Sequence, residues 1–90
     1  MTEEADGYQS KITERAARDL DRPPEKVATA CVEFIFGPLT ANPLRLGKLL
    51  TGFLTGQHSA RRGTYRVIYR IRDQTIEIVH INDRADSYKP

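Results

Sequence analysis

The fold is decided by residues 57–72, QHSARRGTYRVIYRIR, in which two β-prone runs flank a turn at Gly63-Thr64. We predict strands at 57–62 and 65–72, because glycine between two such runs is typical of a tight hairpin. Side chains alternate between the two faces of a strand. The second strand therefore has an apolar face that should pack on helices and an arginine face that stays open. The apolar face holds Tyr65, Val67, Tyr69 and Ile71, and the other holds Arg66, Ile68, Arg70 and Arg72.

One further strand is predicted before this hairpin in the chain, and another after it. Residues 8–12 alternate weakly and should form an edge strand. After a turn at Asp73-Gln74, residues 75–82 are apolar on both faces, which is typical of a central strand. The stretch from Leu39 to Thr55 is interrupted by Asn42-Pro43, Gly47 and Gly52, and Gly56 follows it, so it is predicted to be an irregular connector.

Two helices are predicted before the connector. Thr13 should cap a short helix over 14–20, and a second helix over 25–36 should end at Gly37-Pro38. Its apolar stripe consists of Val27, Ala30, Cys31 and Phe34. The sequence thus predicts an α+β fold, in which an antiparallel β-sheet carries two N-terminal helices on one face in the order β-α-α-β-β-β.

Length and composition indicate one domain over residues 7–90, preceded by a disordered acidic tail over 1–6. The single Cys31 cannot form an internal disulfide and is interpreted as a buried apolar residue. No secretory signal is evident, and no apolar run approaches the about 20 residues that span a bilayer. We therefore expect a cytoplasmic protein with no membrane association.

Charge is distributed unevenly along the chain. Residues 1–40 carry five Lys or Arg against eight Asp or Glu, whereas residues 41–90 carry nine against four. A basic second half favours a nucleic-acid partner, although many solvated sheet faces are also basic. Two histidines and one cysteine, widely spaced, argue against a metal site, and no cofactor-binding loop is present, so neither metal nor cofactor is expected.

The sequence resembles the RelE toxins of type II toxin–antitoxin pairs, and most of all the actinobacterial RelE branch of the RelE/ParE superfamily. The resemblance rests on Asn42-Pro43, on the glycines and lysine of 47–52, on 58–69 with its Gly-Thr-Tyr-Arg-Val-Ile-Tyr run, and on the ending 80–88. It covers residues 8–88 and implies the compact RelE fold. It also implies a stress-response mRNA interferase, a ribosome-dependent endoribonuclease that inhibits translation. Such an enzyme cleaves mRNA in the ribosomal A site by metal-independent attack of a ribose 2′-hydroxyl on the adjacent phosphodiester.

The same resemblance implies the partners and the site residues. The partners are a RelB-like antitoxin in a hetero-oligomer such as a heterotetramer, the 70S ribosome with mRNA, and operator DNA through the antitoxin. Arg66, Arg84 and Tyr88 match the catalytic residues of the family. The cations expected to hold RNA backbone are Lys48, Arg45, Arg61 and Arg62.

Two departures from the family leave the acid–base group unassigned. Asp83 stands where many relatives have a histidine, and the lysines of some relatives are replaced by residues 57–60, which include His58. His80 in the last strand is interpreted first as a structural histidine. The candidates for proton transfer are therefore His58, Asp83 and His80.

Two other functions remain open from the sequence. One is a ParE-like DNA gyrase inhibitor, which acts by binding. The other is a catalytically weak module that acts only in an autoregulatory complex of antitoxin and DNA. The joint presence of Arg66, Arg84 and Tyr88 favours the endoribonuclease.

Overall fold

The computed structural model describes residues 7–50 and 56–83, with Asp83 described by its backbone alone. The predicted α+β class is confirmed. The acidic tail predicted for residues 1–6 lies outside the described residues. Among those residues, no helix is long and apolar enough to cross a membrane. The elements are β1 (Gln9–Ile12), α1 (Glu14–Asp19), α2 (Glu25–Phe34), a π-helical segment (Ile35–Leu39), α3 (Pro43–Leu46), β2 (Lys48–Leu49), β3 (His58–Arg62), β4 (Tyr65–Arg72) and β5 (Thr75–Asp83).

The five strands form one sheet in the order β1-β5-β4-β3-β2. Strands β2 to β5 pair antiparallel as predicted, but β1 pairs parallel to β5, so the prediction of an entirely antiparallel sheet is wrong at this edge. The helices that follow β1 carry the chain across the sheet, and such a crossover permits a parallel neighbour. The edge position of β1 and the inner position of β5 are both confirmed.

Tight turns set the register of the two hairpins. Gly63 has a φ of 62° between β3 and β4, and Asp73 and Gln74 have φ values of 51° and 47° between β4 and β5. Two successive left-handed residues give a hairpin turn whose twist matches that of the strands. Further along, Ile68 pairs with His80 and Tyr69 with Ile78, so β5 carries a bulge between these pairs.

The core lies between the helices and one face of the sheet. Tyr65, Val67 and Tyr69 of β4 are buried, which confirms the predicted packed face. Ala30 is exposed, contrary to its predicted place in the α2 stripe, because α2 turns Cys31 and Phe34 toward the sheet instead. The helical side of the core consists of Ala16, Cys31, Phe34, Ile35 and Leu39, and the sheet adds Ala60, Ile76, Ile78 and Ile81.

The second helix does not end at Gly37-Pro38 as predicted. It continues as the π-helical segment, and Asn42 still donates its N–H to the Pro38 carbonyl at 3.0 Å. Proline has no N–H and crowds the carbonyl one turn before it, and the wider π turn accommodates both effects. The Thr40 hydroxyl donates to the Ile35 carbonyl at 2.6 Å and lies 2.6 Å from the Ser10 hydroxyl, which ties this turn to β1.

The connector is more regular than predicted, because it contains α3 and β2. Pro43 is the first residue of α3 and is buried, a position that suits a residue without an N–H. The Tyr69 hydroxyl donates to the Pro43 carbonyl at 2.6 Å. Lys48 and Leu49 then pair with Ser59 and His58 of β3. This arrangement places β2 at the second edge of the sheet.

Candidate nucleic-acid interface

The face of the sheet opposite the core carries the basic residues that the sequence singled out. In register, Lys48 pairs with Ser59, Ser59 with Ile68, and Arg61 with Arg66. Paired residues point to the same face, and alternation places this whole set opposite Val67 and the helices. Lys48, Arg61 and Arg66 are all exposed. We call this surface the open face.

Part of the open face is concave. A cleft of about 560 Å³ is lined by Lys48, Arg61 and Arg66 together with Ser59, Leu46 and Leu50. Three cations, one hydroxyl and two leucines thus border the same volume. A site of this composition offers charge for phosphate oxygens and apolar surface for ribose or base.

Arg61 and Arg66 are directly opposite each other on neighbouring strands. Like charges in this position are destabilising, because their side chains leave the pleat side by side. Among the described side chains, neither arginine forms an ion pair with a carboxylate. The repulsion is therefore uncompensated within this part of the chain, and a bound anion would relieve it.

Arg70 lies on the same face but in a different environment. Its Nε donates to Glu77 at 2.8 Å, and this hydrogen bond, helped by the nearby Arg72 and Lys11, lowers the pKa of the Glu77 carboxyl. Arg70 is thus already paired with a carboxylate inside the protein. The row of arginines that the sequence predicted is divided, with Arg66 unpaired among the described residues and Arg70 engaged.

His58 is on the opposite face from Arg66. It pairs in register with Tyr69, and the two rings stack with centroids 5.3 Å apart and planes inclined by 16°. Its Nδ1 is buried and has no hydrogen-bond partner among the described residues. The structure therefore does not bring His58 to the cleft, and proton transfer there from this ring has no geometric support.

His80 lies on the open face, where it pairs with Ile68 on β4. Its Nδ1 is 2.7 Å from Oδ2 of Asp19, the last residue of α1. The Asp19 side chain is 7% exposed and that of His80 is 26% exposed. The buried carboxylate is the kind of partner expected for the structural histidine that the sequence analysis favoured.

Arg62 and Arg45 are not among the residues that line the cleft. Arg62 pairs with Tyr65 on the helix side of the sheet, and its guanidinium carbon lies 5.7 Å from the centre of the Phe34 ring. That cation–π contact gives Arg62 a structural partner. Arg45 is exposed on α3, beside Leu46 in the chain.

Three residues implicated by the resemblance lie at or beyond the end of the described part of the chain. Arg84 and Tyr88 lie outside the described residues, as does the side chain of Asp83. The backbone of Asp83 pairs with Tyr65, whereas Asn82 is the residue opposite Arg66. The three residues stay predictions.

Sequence reasoning missed four residues of this region. Ser59, Leu46 and Leu50 line the cleft, and Asp19 binds His80. The register imposed by the Gly63-Thr64 turn would have placed Ser59 beside Ile68 on the open face. No local pattern links Asp19 to His80, which is 61 residues away. Among the described residues, no group of three or more His, Cys, Asp or Glu side chains is placed to hold a metal ion.

Comparison with known proteins agrees with this fold. Residues 11–88 match the family model described as the ParE toxin of type II toxin–antitoxin systems. The chain therefore belongs to the RelE/ParE family of toxins.

Within that family, the sequence is similar to toxins named RelE and RelG. It is 60% identical over 84 residues to Toxin RelE of Mycobacterium tuberculosis, which covers 91% of this chain and 87% of that protein. It is 48% identical over 84 residues to Toxin RelG of the same organism, covering 91% and 97%. These relatives confirm the predicted resemblance to actinobacterial RelE toxins.

A solved structure supports the same assignment. The structure of the toxin–antitoxin complex RelBE2 from Mycobacterium tuberculosis contains a chain that matches with a TM-score of 0.84 and 46% identity. The match covers 87% of this chain and 99% of that chain. The similarity therefore extends over nearly the whole of both chains.

Proposed function

We propose that this protein is a ribosome-dependent endoribonuclease toxin that cleaves mRNA in the A site without a metal cofactor. Membership of the RelE/ParE family and 60% identity to a toxin named RelE support the class of activity. The protein would act in the cytoplasm, where its substrate and the ribosome are found.

The observation that carries this proposal is the opposed pair Arg61 and Arg66 at the cleft that Lys48 also lines. Such a pair costs stability in the free protein. A polyanion that enters the cleft removes the repulsion and gains charge-assisted hydrogen bonds from two guanidinium groups. A stretch of RNA backbone fits both the charge and the open shape of this site.

Arg66 is proposed to hold the scissile phosphate. A ribose 2′-hydroxyl attacks the adjacent phosphorus, and negative charge grows on the non-bridging oxygens during that attack. The planar fork of an arginine matches two of these oxygens. A preorganised donor of this kind contributes about 3–4 kcal/mol to transition-state stabilisation. Arg61 and Lys48 would hold neighbouring phosphates and fix the strand.

The remaining roles come from the family resemblance alone. Arg84 would be a second clamp on the phosphate, and Tyr88 would stack on a base or take part in proton transfer. The ribosome would supply the alignment of mRNA. Holding reactants in line accounts for roughly 7–11 kcal/mol of a barrier, so a modest acid–base set is compatible with activity.

A RelB-like antitoxin is the proposed inhibitor. The matched structure from Mycobacterium tuberculosis is that of a toxin–antitoxin complex, RelBE2, and by this similarity the present chain would form a hetero-oligomer with its own antitoxin. Contact with operator DNA would pass through the antitoxin.

The experiment that tests the proposal combines purified protein with ribosomes stalled on a defined mRNA, followed by primer extension. The proposal expects a cut within the A-site codon that requires the ribosome. A phosphorothioate at the cleaved position should slow the reaction, and thiophilic metals should not restore its rate, since no metal ion binds that phosphate. Intact mRNA at full ribosome occupancy would refute the proposal.

Gyrase inhibition is the second candidate, because the matching family model is named for ParE toxins. It predicts a different outcome in a matched pair of assays. A gyrase inhibitor would block supercoiling of plasmid DNA by purified gyrase and leave ribosome-bound mRNA intact, whereas the proposed endoribonuclease would do the reverse.

A further inference from the structure

The contact between Asp19 and His80 connects helix α1, which does not line the cleft, to the open face. Asp19 ends α1, and His80 lies on β5 opposite Ile68. Arg66 pairs with Asn82, two residues further along β5, so Arg66 and His80 are diagonal neighbours on the same face. Diagonal positions on adjacent strands are about 7–8 Å apart. At this separation, the side chains of an arginine and a histidine can both reach the same nucleotide linkage.

Asp19 is held in place by more than this contact. The same Oδ2 that lies 2.7 Å from His80 Nδ1 accepts the backbone N–H of Ile81 at 2.9 Å. Pairing of β1 with β5 ends at Ile78, and α1 covers the next part of the β5 edge. Asp19 therefore occupies a place that a strand carbonyl would otherwise fill. Its carboxylate is fixed and nearly buried before any substrate binds.

This geometry determines the tautomer of the histidine. A carboxylate oxygen accepts hydrogen bonds, so the hydrogen on Nδ1 points to Asp19 and the lone pair is on Nε2. The His80 ring makes one hydrogen bond among the described residues, and Asp19 is its partner. Nε2 is at the other end of a ring that is partly exposed on the face that carries Arg66.

We propose that His80, oriented by Asp19, is the general base that removes the proton from the attacking ribose 2′-hydroxyl. This inference rests on the proposed endoribonuclease activity and names the group that the sequence left unassigned among three candidates. His58 is on the other face of the sheet, stacked on Tyr69. His80 touches the reacting atom in this scheme, and Asp19 is a positioning residue.

The proposed step is balanced as follows. The O–H bond of the 2′-hydroxyl breaks, its proton moves to Nε2 of His80, and the oxygen electron pair forms the new bond to phosphorus. The bond from phosphorus to the 5′-oxygen breaks, and that oxygen takes a proton from water. The products are a 2′,3′-cyclic phosphate and a 5′-hydroxyl, and the imidazolium returns its proton to solvent.

The charged groups around the ring are compatible with this role. Asp19 of α1 faces Nδ1, where its carboxylate would stabilise the imidazolium that forms, and Arg66 of β4 lies on the diagonal. In the proposed complex, Arg66 would be paired with the scissile phosphate. Arg15 and Arg18 on α1 are exposed to solvent. Ile68, directly opposite His80, is buried and adds no charge.

The test measures single-turnover cleavage of ribosome-bound mRNA by His80→Gln as a function of pH. Wild type should show a rate that rises with pH and then levels off, with one ionisation on the acid side of the profile. The variant should be slower by about 10²–10⁴-fold, as is typical of a lost general base, and should lose that ionisation. His58→Gln is the matched control, which should keep the wild-type pH profile.

A substrate with sulfur in place of the 5′-oxygen separates a base from an acid. The thiolate leaves without protonation, so loss of a general acid would be masked with this substrate, whereas loss of the base would remain. The His80→Gln defect should therefore persist. Disappearance of the defect, or cleavage by His80→Gln at the wild-type rate with the native substrate, would overturn the assignment.

Asp19→Asn tests the positioning role. The asparagine oxygen can still accept the Ile81 N–H, but the neutral amide no longer stabilises an imidazolium. The variant should alter the pH profile and reduce the plateau rate, while circular dichroism shows an intact fold. An unchanged profile would contradict the role given to Asp19. If wild type itself does not cut ribosome-bound mRNA, the proposed function fails first, and that result is separate from a failure of His80 alone.

Discussion

Gly47 lies so close to the Tyr69 hydroxyl that a β-carbon on residue 47 would overlap the phenol oxygen. The same hydroxyl donates to the Pro43 carbonyl at 2.6 Å. Leu46 and Lys48, on either side of Gly47, line the cleft. A buried tyrosine of the core thus fixes the wall of the basic cleft, and glycine is required by space, since its φ of −115° suits any residue.

Gly47→Ala should therefore destabilise the protein and disturb the cleft together. The added methyl group must displace Tyr69 or the α3–β2 segment, and overpacking of this kind costs about 1–3 kcal/mol. Urea denaturation of the purified variant would measure the loss, and ribosome-dependent cleavage should fall as Lys48 is displaced.

Tyr69→Phe provides the control, because it removes the oxygen that the methyl group meets. Alone it should cost about 1–3 kcal/mol by leaving the Pro43 carbonyl unpaired. Combined with Gly47→Ala, it should cost less than the sum of the two single changes. A Gly47→Ala protein as stable as wild type would show that the close approach is not a constraint.

Arg61→Gln should separate binding from stability. Removing one of two opposed guanidinium groups relieves repulsion, so the free energy of unfolding should rise by about 0.2–1 kcal/mol. Affinity for RNA should fall, and the slope of its logarithm against the logarithm of salt concentration should decrease by about one unit.

The same change at Arg70 removes an ion pair with Glu77 and should not raise stability. Denaturant unfolding and filter binding at several salt concentrations would compare the two variants. A loss of stability in Arg61→Gln would mean that Arg61 has a stabilising partner in the folded protein. It would contradict the view that repulsion between Arg61 and Arg66 destabilises the free protein.

Burial of Cys31 and Tyr69 makes the fold sensitive to alkali. Burial raises the pKa of the Cys31 thiol from 9.0 to about 11, and burial raises that of Tyr69 from 10.0 to about 12. The unfolded chain therefore releases these protons at lower pH than the folded protein. Stability should be full below pH 9 and should fall as pH rises toward 11 and above, by about 3 kcal/mol for each group that is fully deprotonated.

Urea denaturation at a series of pH values would measure this effect. Cys31→Ala should reduce the slope of the curve between pH 9 and about 11, because it removes the thiol ionisation and leaves that of Tyr69. A wild-type stability that is constant through that interval would contradict the assignment of a buried, protonated thiol.

Local patterns were sufficient for the hairpins. The glycine turn, the alternation of β4 and the paired left-handed residues Asp73 and Gln74 all act within a few residues, so the chain specifies them nearby. The burial of Tyr65 and Tyr69 followed from the same alternation.

The predicted end of the second helix was wrong. Gly37-Pro38 usually ends a helix, but here the hydroxyl contacts of Thr40 with Ile35 and Ser10 stabilise a further helical turn.

The basic site was predicted in part, because local strand geometry places some of its residues. Arg61 and Arg66 share a face through strand alternation and the register of a predicted hairpin. Lys48 reaches that face through β2, a strand that the sequence did not predict. The two-residue turn places His58, one of three candidates for proton transfer, opposite Tyr69 on the core side of the sheet. The Asp19–His80 contact and the parallel edge at β1 depend on how α1 crosses β5, which is a property of tertiary packing.

The most direct test of the central claim compares Arg66→Ala with Arg70→Ala in single-turnover cleavage of ribosome-bound mRNA. Both arginines are exposed on the same face of β4, but only Arg70 is bound to Glu77 among the described residues. Arg66→Ala should slow cleavage by about 10²–10³-fold, the cost of one preorganised donor, with the fold intact. Arg70→Ala should cleave within a few-fold of wild type. Equal rates for Arg66→Ala and wild type would contradict the account.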